Sequence, residues 1–481
     1  MIHRNFIESF ERFNGSPGSG IAVALAPRSL ECCDSKANRR ALPWFYRNGW
    51  GTMLCGLYPL LVVAPLVTAH VLNRDAGYSI VTELGIDCAQ VGFGLLAMQF
   101  LLTARFSWIE APFGLDLILR FHRAMALVIV ALLCAHPLLI ASDQSWRLIT
   151  KLHAHWYIWA GRIAALLLVA QVAAAVLRRA LRVSYEWWRW AHNAVALAIL
   201  VLGVIHAVVA GQDLNDAAGV ALWGFVPALA LGTWFYAHTI RPRLLARQTF
   251  RVQSLTLEAP RVWTVTLEGP PGRIIQFLPG QFQFLRFLGS NVPAEEHPFS
   301  IASSLAHAQR ISLTIKACGD FTNLIDRIQV GDRANVHGPF GRFSCDLYPD
   351  EEDLVFVAGG VGITPLMSML RAMRDRRESR RVTLIYASRT LDDILFVLEL
   401  MAMESGDYPK LKVIFVLSEP PLWWGAESGR LDAARLDEWC GGFERKAFYI
   451  CCPPQMNMEL VRGLRRRRVS RHRIHCDHFS L

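Results

Sequence analysis

Four histidines in the first half of the chain stand in two matching pairs, His122 with His136 and His192 with His206, each separated by 14 residues. That spacing is close to four helical turns, so both imidazoles of a pair leave nearly the same face, about 21 Å apart along the axis. In a hydrocarbon core about 30 Å thick, one histidine of each pair falls in each leaflet. A single intramembrane histidine reads as a polar residue satisfied inside a bundle. Two matched pairs read differently, because two such helices side by side can clamp two flat cofactors, one above the other. Haem fits that description: its iron takes two axial nitrogen ligands and its macrocycle is apolar enough for a bundle interior. The expected chemistry is electron transfer across a membrane, with His122, His136, His192 and His206 as metal ligands.

Positioning these residues requires helices that span. Six hydrophobic segments supply them, at residues 51–72, 80–103, 121–142, 156–177, 190–210 and 220–240. Arginine and lysine concentrate before the first segment, in the second and fourth connections, and after the sixth (Arg241, Arg243, Arg247). The excess of positive charge on cytoplasmic loops then predicts both termini inside. Segments three and five run in the same direction, with His122 level with His192 inside and His136 level with His206 outside. Residues 1–46 show no clear period and are expected to form a cytoplasmic tail; residues 20–26 are too short and too far from a basic start for a signal peptide. Arg162 enters the fourth segment near the outer pair, where an anionic partner or a reach to the interface would satisfy it. Glu83 and Asp87 lie near the same surface and suit a helix-end contact, a salt bridge to Arg162 or the collection of a cation.

The composition agrees: 53% of residues are hydrophobic, and the hydrophobic residues are concentrated before residue 240. The net charge of +10 comes from arginines at helix ends and in the run Arg465–Arg468, read as topology signals and a solvated or lipid-facing surface rather than a nucleic-acid patch. The 11 cysteines form no CxxC, so neither a zinc site nor a disulfide framework is indicated.

After Arg247 the pattern changes to short strand-like runs at 250–257, 262–267, 281–288 and 310–315, punctuated by Gly and Pro as in a small antiparallel barrel. Further on, the apolar run 354–358 leads into Gly359-Gly360-Val361-Gly362-Ile363-Thr364-Pro365, a strand, glycine turn and helix start that cradles a dinucleotide phosphate. The next strand, 382–387, ends in Ser388-Arg389, where such a fold meets the adenosine ribose. Arg389 suits a 2′-phosphate, favouring NADPH over NADH.

Residues 297–303, His-Pro-Phe-Ser-Ile-Ala-Ser, resemble the flavin-binding strand of the ferredoxin-reductase-type FAD domain in the ferric reductase/NADPH oxidase superfamily. Residues 338–341 (Gly-Pro-Phe-Gly) are similar to that family's turn out of the flavin domain. Residues 449–454 resemble its strand ending in Cys-Gly-Pro, with Cys452 in the glycine position, and 477–479 resemble its acidic-x-aromatic terminus, with Asp477 where Glu is usual. The resemblance implies FAD contacts from His297, Pro298, Phe299, Ser300, Lys316, Gly319 and Thr322, the last two opening a helix that receives the pyrophosphate. It implies NAD(P) contacts from Gly359, Gly360, Gly362, Thr364, Pro365, Ser388 and Arg389, with Cys451 beside the nicotinamide and Phe479 over the flavin.

The implied architecture is a six-helix transmembrane haem bundle, an antiparallel β-barrel FAD domain and an α/β, Rossmann-like NAD(P)-binding domain. Its boundaries are a tail at 1–46, a ferric reductase-like di-haem domain at 47–243, the FAD domain at 244–346 and the nucleotide domain at 347–481. The implied function passes electrons from cytoplasmic NADPH through FAD and two b-type haems to an external acceptor: ferric iron, oxygen (giving superoxide), a quinone or a protein. Two other readings stand beside it, a membrane-anchored flavin reductase without haem and a non-catalytic six-helix scaffold.

Overall fold

The computed structural model describes residues 48–72, 77–150, 152–178, 180–210, 217–289, 291–306 and 309–477. The chain divides between Leu244 and Leu245 into two compact units.

The first unit is helical: α1 (Asn48–Leu72), α2 (Ile80–Thr103), α3 (Leu115–Asp143), α4 (Trp156–Leu177), α5 (Tyr185–Ala210) and α6 (Ala217–Phe235). Within α1 to α5 lie five stretches long and apolar enough to cross a membrane. α6 runs on through a turn of π-helix, Tyr236–Ile240, into a short helix, Arg241–Ala246. Large apolar side chains such as Leu127, Leu166 and Val176 are exposed on the outside, where lipid rather than water would meet them.

Four helices start earlier than hydropathy indicates, α1 and α6 by three residues, and α3 and α5 by more: α3 at Leu115 rather than 121 and α5 at Tyr185 rather than 190. The charges at Arg120, Arg123 and Arg189 end the apolar run, but nothing in those residues breaks a backbone helix. α2 is the most buried of the five candidate spans. Its N-cap Ser79 accepts from Thr82 N, and the hydroxyls of Ser79 and Thr82 both donate to Asp143 at the end of α3, at 2.5 and 2.6 Å. α2 packs on α3, and α4 on α5.

The second unit opens with six antiparallel strands: β1 (Phe250–Ala259), β2 (Val262–Glu268), β3 (Phe282–Leu288), β4 (His297–Ser300), β5 (Arg310–Lys316) and β6 (Arg333–Phe340). Their order is β4-β3-β6-β1-β2-β5, and the edges meet where Ile301 bridges Leu313 and Ala302 N donates to Ser312 O, closing the sheet into a barrel. Alternating inward residues such as Val265, Leu267, Leu285, Phe287, Ile311 and Leu313 fill it.

Six parallel strands follow: β7 (Asp353–Gly359), β8 (Arg381–Ser388), β9 (Lys410–Leu417), β10 (Glu427–Ser428), β11 (Ala447–Cys451) and β12 (Ile474–Asp477), ordered β10-β9-β8-β7-β11-β12. Helices α7 (Ile363–Asp375) and α8 (Pro454–Arg466) cover the sheet, so β7 and β11 are buried on both faces and read as unbroken apolar runs.

Candidate functional site

In the helical unit, α3 and α5 run in the same direction and bring their histidines face to face. The rings of His122 and His192 have centres 6.3 Å apart with planes at 70°; those of His136 and His206 lie 6.2 Å apart at 71°. One metal ion about 2 Å from two imidazole nitrogens, with each ring centre about 1.2 Å behind its nitrogen, sets the centres about 6 to 6.5 Å apart. Both pairs therefore fit a bis-imidazole metal site.

The second pair also has its tautomers fixed. His136 Nδ1 donates to Gly85 O at 2.9 Å and His206 Nδ1 to Tyr157 O at 3.0 Å, which leaves each Nε2 as the lone-pair ligand. Nδ1 of His122 and of His192 is buried with no hydrogen-bond partner among the described residues, and Trp188 lies against His192 with ring centres 5.0 Å apart. The helices behind thus supply the supporting carbonyls, α2 through Gly85 and α4 through Tyr157. Gly161 on α4 makes room: a Cβ there would lie 2.8 Å from Cγ and Nδ1 of His206. Sequence reading missed Gly85, Tyr157 and Gly161, whose roles exist only once a neighbouring helix is in place.

Of the polar residues near the second pair, Arg162 follows one of its two expected courses, while Asp87 has a partner that was not expected. Arg162 donates to Leu148 O at 2.6 Å and lies over the Trp159 ring at 5.0 Å, an outward reach. Asp87 pairs with His70 at 2.9 Å, not with Arg162.

In the barrel, His297, Pro298, Phe299 and Ser300 form β4, an edge strand whose pairing to β3 leaves one side open. The His297 ring stacks on Phe321 at 4.1 Å and its Nε2 lies 3.1 Å from the Glu295 carboxylate; Phe299 lies 6.4 Å from Phe321. Lys316 ends β5 with its side chain exposed. The expected helix at Gly319 and Thr322 is a single 3-10 stretch, Thr322–Arg327. Thr322 Oγ1 accepts from both Cys318 N and Gly319 N, at 3.0 and 2.9 Å, so its hydroxyl closes the turn instead of opening an α-helix.

At the C-terminal edge of the parallel sheet, the register puts Gly359 beside Ala387, and Ala358 beside Cys451. This edge is where open α/β sheets bind nucleotides. It gathers Gly359, Gly360, Gly362, Ser388, Arg389 and Cys451. Gly360 has φ +55°, and a Cβ on Gly362 would lie 2.0 Å from Cys451 O, so the glycine turn is pressed onto the end of β11. α7 starts at Ile363, one residue before the expected Thr364. Thr364 and Pro365 are buried, and Thr364 Oγ1 donates to Val361 O at 2.7 Å, bracing the turn from inside. Arg389 is exposed, with Asp393 at 3.8 Å.

Cys451 is fully buried, and burial pushes its thiol well above the usual value, so it is a neutral packing group, not a thiolate. Cys452, in the position where the family has glycine, turns to the other face of the sheet and its Sγ points at Val357 O at 3.5 Å. Its side chain therefore fills the core behind the sheet. Phe479 lies outside the described residues; β12 pairs Asp477 with Cys451 at this edge.

Three family descriptions match consecutive parts of the chain. Residues 88–203 match a ferric reductase like transmembrane component, 245–338 an FAD-binding domain, and 356–462 an oxidoreductase NAD-binding domain. The chain belongs to the ferric reductase/NADPH oxidase superfamily. Among curated relatives, it is 33% identical over 167 residues to cytochrome b5 reductase 4 of Homo sapiens, covering 34% of this chain and 32% of the relative. It is 31% identical over 221 residues to sulfhydrogenase 1 subunit gamma of Pyrococcus furiosus, covering 45% and 73%. The chain thus spans about a third of the length of cytochrome b5 reductase 4. Among solved structures, the cytochrome P450 reductase GcoB of Amycolatopsis is 26% identical with a TM-score of 0.43, over 48% of this chain and 69% of that one. In this superfamily member, FAD- and NAD-binding domains follow a ferric reductase-like membrane component in one polypeptide.

Proposed function

We propose that the chain is a transmembrane NAD(P)H oxidoreductase that moves electrons from a cytoplasmic nicotinamide nucleotide, through FAD and two bis-histidine haems, to an acceptor on the far side. The observation that carries this reading is the bis-imidazole spacing of both histidine pairs, 6.3 and 6.2 Å between ring centres. Six spans with both termini cytoplasmic complete the arrangement, α6 being the sixth.

The residue roles in this reading combine the histidine geometry with the family resemblance. His122 with His192 would hold one iron and His136 with His206 the other, the second pair oriented by its bonds to Gly85 and Tyr157. Phe299 and Ser300 offer backbone and hydroxyl to the flavin; His297, Lys316, Gly319 and Thr322 line its diphosphate side, and Pro298 stiffens the strand. Gly359, Gly360 and Gly362 bring backbone close to the nucleotide, Thr364 and Pro365 hold the turn, and Ser388 and Arg389 meet the ribose. Cys451 backs the nicotinamide. When bound, FAD and haem supply the conversion of a two-electron hydride into single-electron transfers. His122, His136, His192 and His206 would be the residues that hold the irons, and haem held by two imidazoles would supply electron transfer to the acceptor without a bond to it.

Ferric iron and oxygen are the two acceptors to be told apart. The test is the reduced-minus-oxidised visible spectrum of detergent-purified protein in NADPH without oxygen, followed by air or ferric citrate. Low-spin bands for two haems per chain, bleached by one acceptor, support the reading and choose between them. A flavin signal without haem overturns it in favour of a membrane-anchored flavin reductase; neither signal leaves the scaffold.

Arg389 is proposed to read the 2′-phosphate. Arg389→Gln is expected to raise KM for NADPH by about 10-fold, the loss of one exposed charge contact of roughly 1.4 kcal/mol, with KM for NADH unchanged. Equal effects on both nucleotides in steady-state kinetics would remove Arg389 from that role.

A further inference from the structure

We propose that Arg371, held by Glu399, is a positioning residue that couples the nucleotide turn to the flavin strand through α7. The inference rests on the cofactor reading above.

α7 begins at the glycine turn of the nucleotide site and carries three polar side chains at 368, 371 and 375, a spacing that puts them on one stripe of the helix. All three grip the backbone or hydroxyls of the segment that leaves β4. Ser368 Oγ donates to Ser303 O at 2.7 Å, Arg371 Nη1 donates to Ala302 O at 2.8 Å, and the Ser304 hydroxyl donates to Asp375. Ala302 is two residues beyond Ser300, the proposed flavin contact.

Neither end of this linkage has slack. On the barrel side, Ile301 N donates to Gln281 O, Ala302 N to Ser312 O, and Ser312 N to Ser303 Oγ, and both Ile301 and Ala302 are fully buried. On the helix side, Arg371 forks the Glu399 carboxylate through Nε and Nη2 at 3.0 and 2.5 Å, and its guanidinium covers the Phe396 ring at 4.9 Å. Arg374 adds a further donor to Glu399 at 3.0 Å. Burial alone would raise the Glu399 carboxyl, yet the Arg371 and Arg374 guanidiniums hold it below its usual range, so it stays charged. A bidentate, stacked and half-buried arginine has one geometry, unlike an exposed ion pair. Movement at the glycine turn is therefore transmitted along a packed helix to the strand that would hold the flavin.

The test uses the full chain in detergent, loaded with FAD, and follows amide exchange of residues 297–304 with and without NADP+. In the wild type, NADP+ is expected to slow exchange in that segment. Arg371→Met should keep its FAD, lose the NADP+-dependent slowing, and lower kcat for NADPH oxidation by about 10- to 100-fold, the scale of a misplacement of about 1 Å, with KM little changed. Arg371→Lys, which keeps the charge without the fork, should not rescue it. Glu399→Gln supplies a milder variant should Arg371→Met fail to retain FAD. Variants that keep FAD, the NADP+-dependent slowing and wild-type kcat overturn the proposal, as does a wild type that binds both ligands without slowing. A wild type that binds neither FAD nor NADP+ overturns the cofactor reading itself.

Discussion

Replacing His192 by alanine is expected to remove about half of the haem absorbance per chain, and His206→Ala the other half, because in the proposed arrangement each histidine would be one of two ligands to a separate iron. The spacing of the two ring pairs makes the sites independent: no imidazole of one pair is within ring contact of the other. Either variant should lower reduction of a far-side acceptor by on the order of 1000-fold while leaving NADPH oxidation by a soluble dye within about 2-fold, since the reductase unit holds its own cofactors. Measuring both activities on the same reconstituted preparation separates the two halves of the chain. His122→Ala and His192→Ala proteins that keep full transmembrane activity would sink the haem assignment.

Gly161→Ala is expected to disturb only the second pair, although Gly161 ligates nothing. Its Cβ would press on the His206 imidazole at 2.8 Å, and the ring can yield only by leaving its 3.0 Å bond to Tyr157 O. The cost is that of overpacking, about 1–3 kcal/mol, which here falls on ligand geometry. The spectrum should lose or shift the second haem's bands and retain the first's. Gly56→Ala, with nothing within 4 Å of its added Cβ, should leave both unchanged and serves as the control. Loss of both sets of bands in Gly161→Ala would indicate general unfolding and contradict a local role.

Much of the candidate site was legible because its chemistry is sparse. Four histidines at matching intervals inside apolar helices have few explanations, and the ring pairing follows directly from the interval and the parallel course of α3 and α5. The glycine turn at 359–362 was legible for a related reason: the strand before it and the helix after it are strong local patterns. What stayed hidden needs a second element to define it. Gly85 and Tyr157 look like ordinary helix residues until their carbonyls meet an imidazole. The helix at Gly319 and Thr322 is expected from the family resemblance alone, and the side-chain closure onto Cys318 and Gly319 gives a 3-10 stretch instead. Cys452 stands where the resemblance puts a glycine, and strand alternation could not say where β11 ends; the thiol faces the opposite side of the sheet. The Arg371–Glu399 linkage joins residues 28 apart to a third segment in the barrel, so no local pattern announces it.

The polar clasps between α2 and α3 bear on how the protein meets membranes of different thickness. Asp143 is held by Ser79 and Thr82 at one end, and His136 by Gly85 within the same helix pair. Sliding α3 along α2 would break all three bonds, and the one from His136 to Gly85 O lies within the apolar span, where lipid offers no replacement. Hydrophobic mismatch is therefore absorbed by tilting the pair as one body, not by shearing it. The interval between the two imidazole levels is then a property of the protein alone, and electron passage between them should be indifferent to lipid chain length.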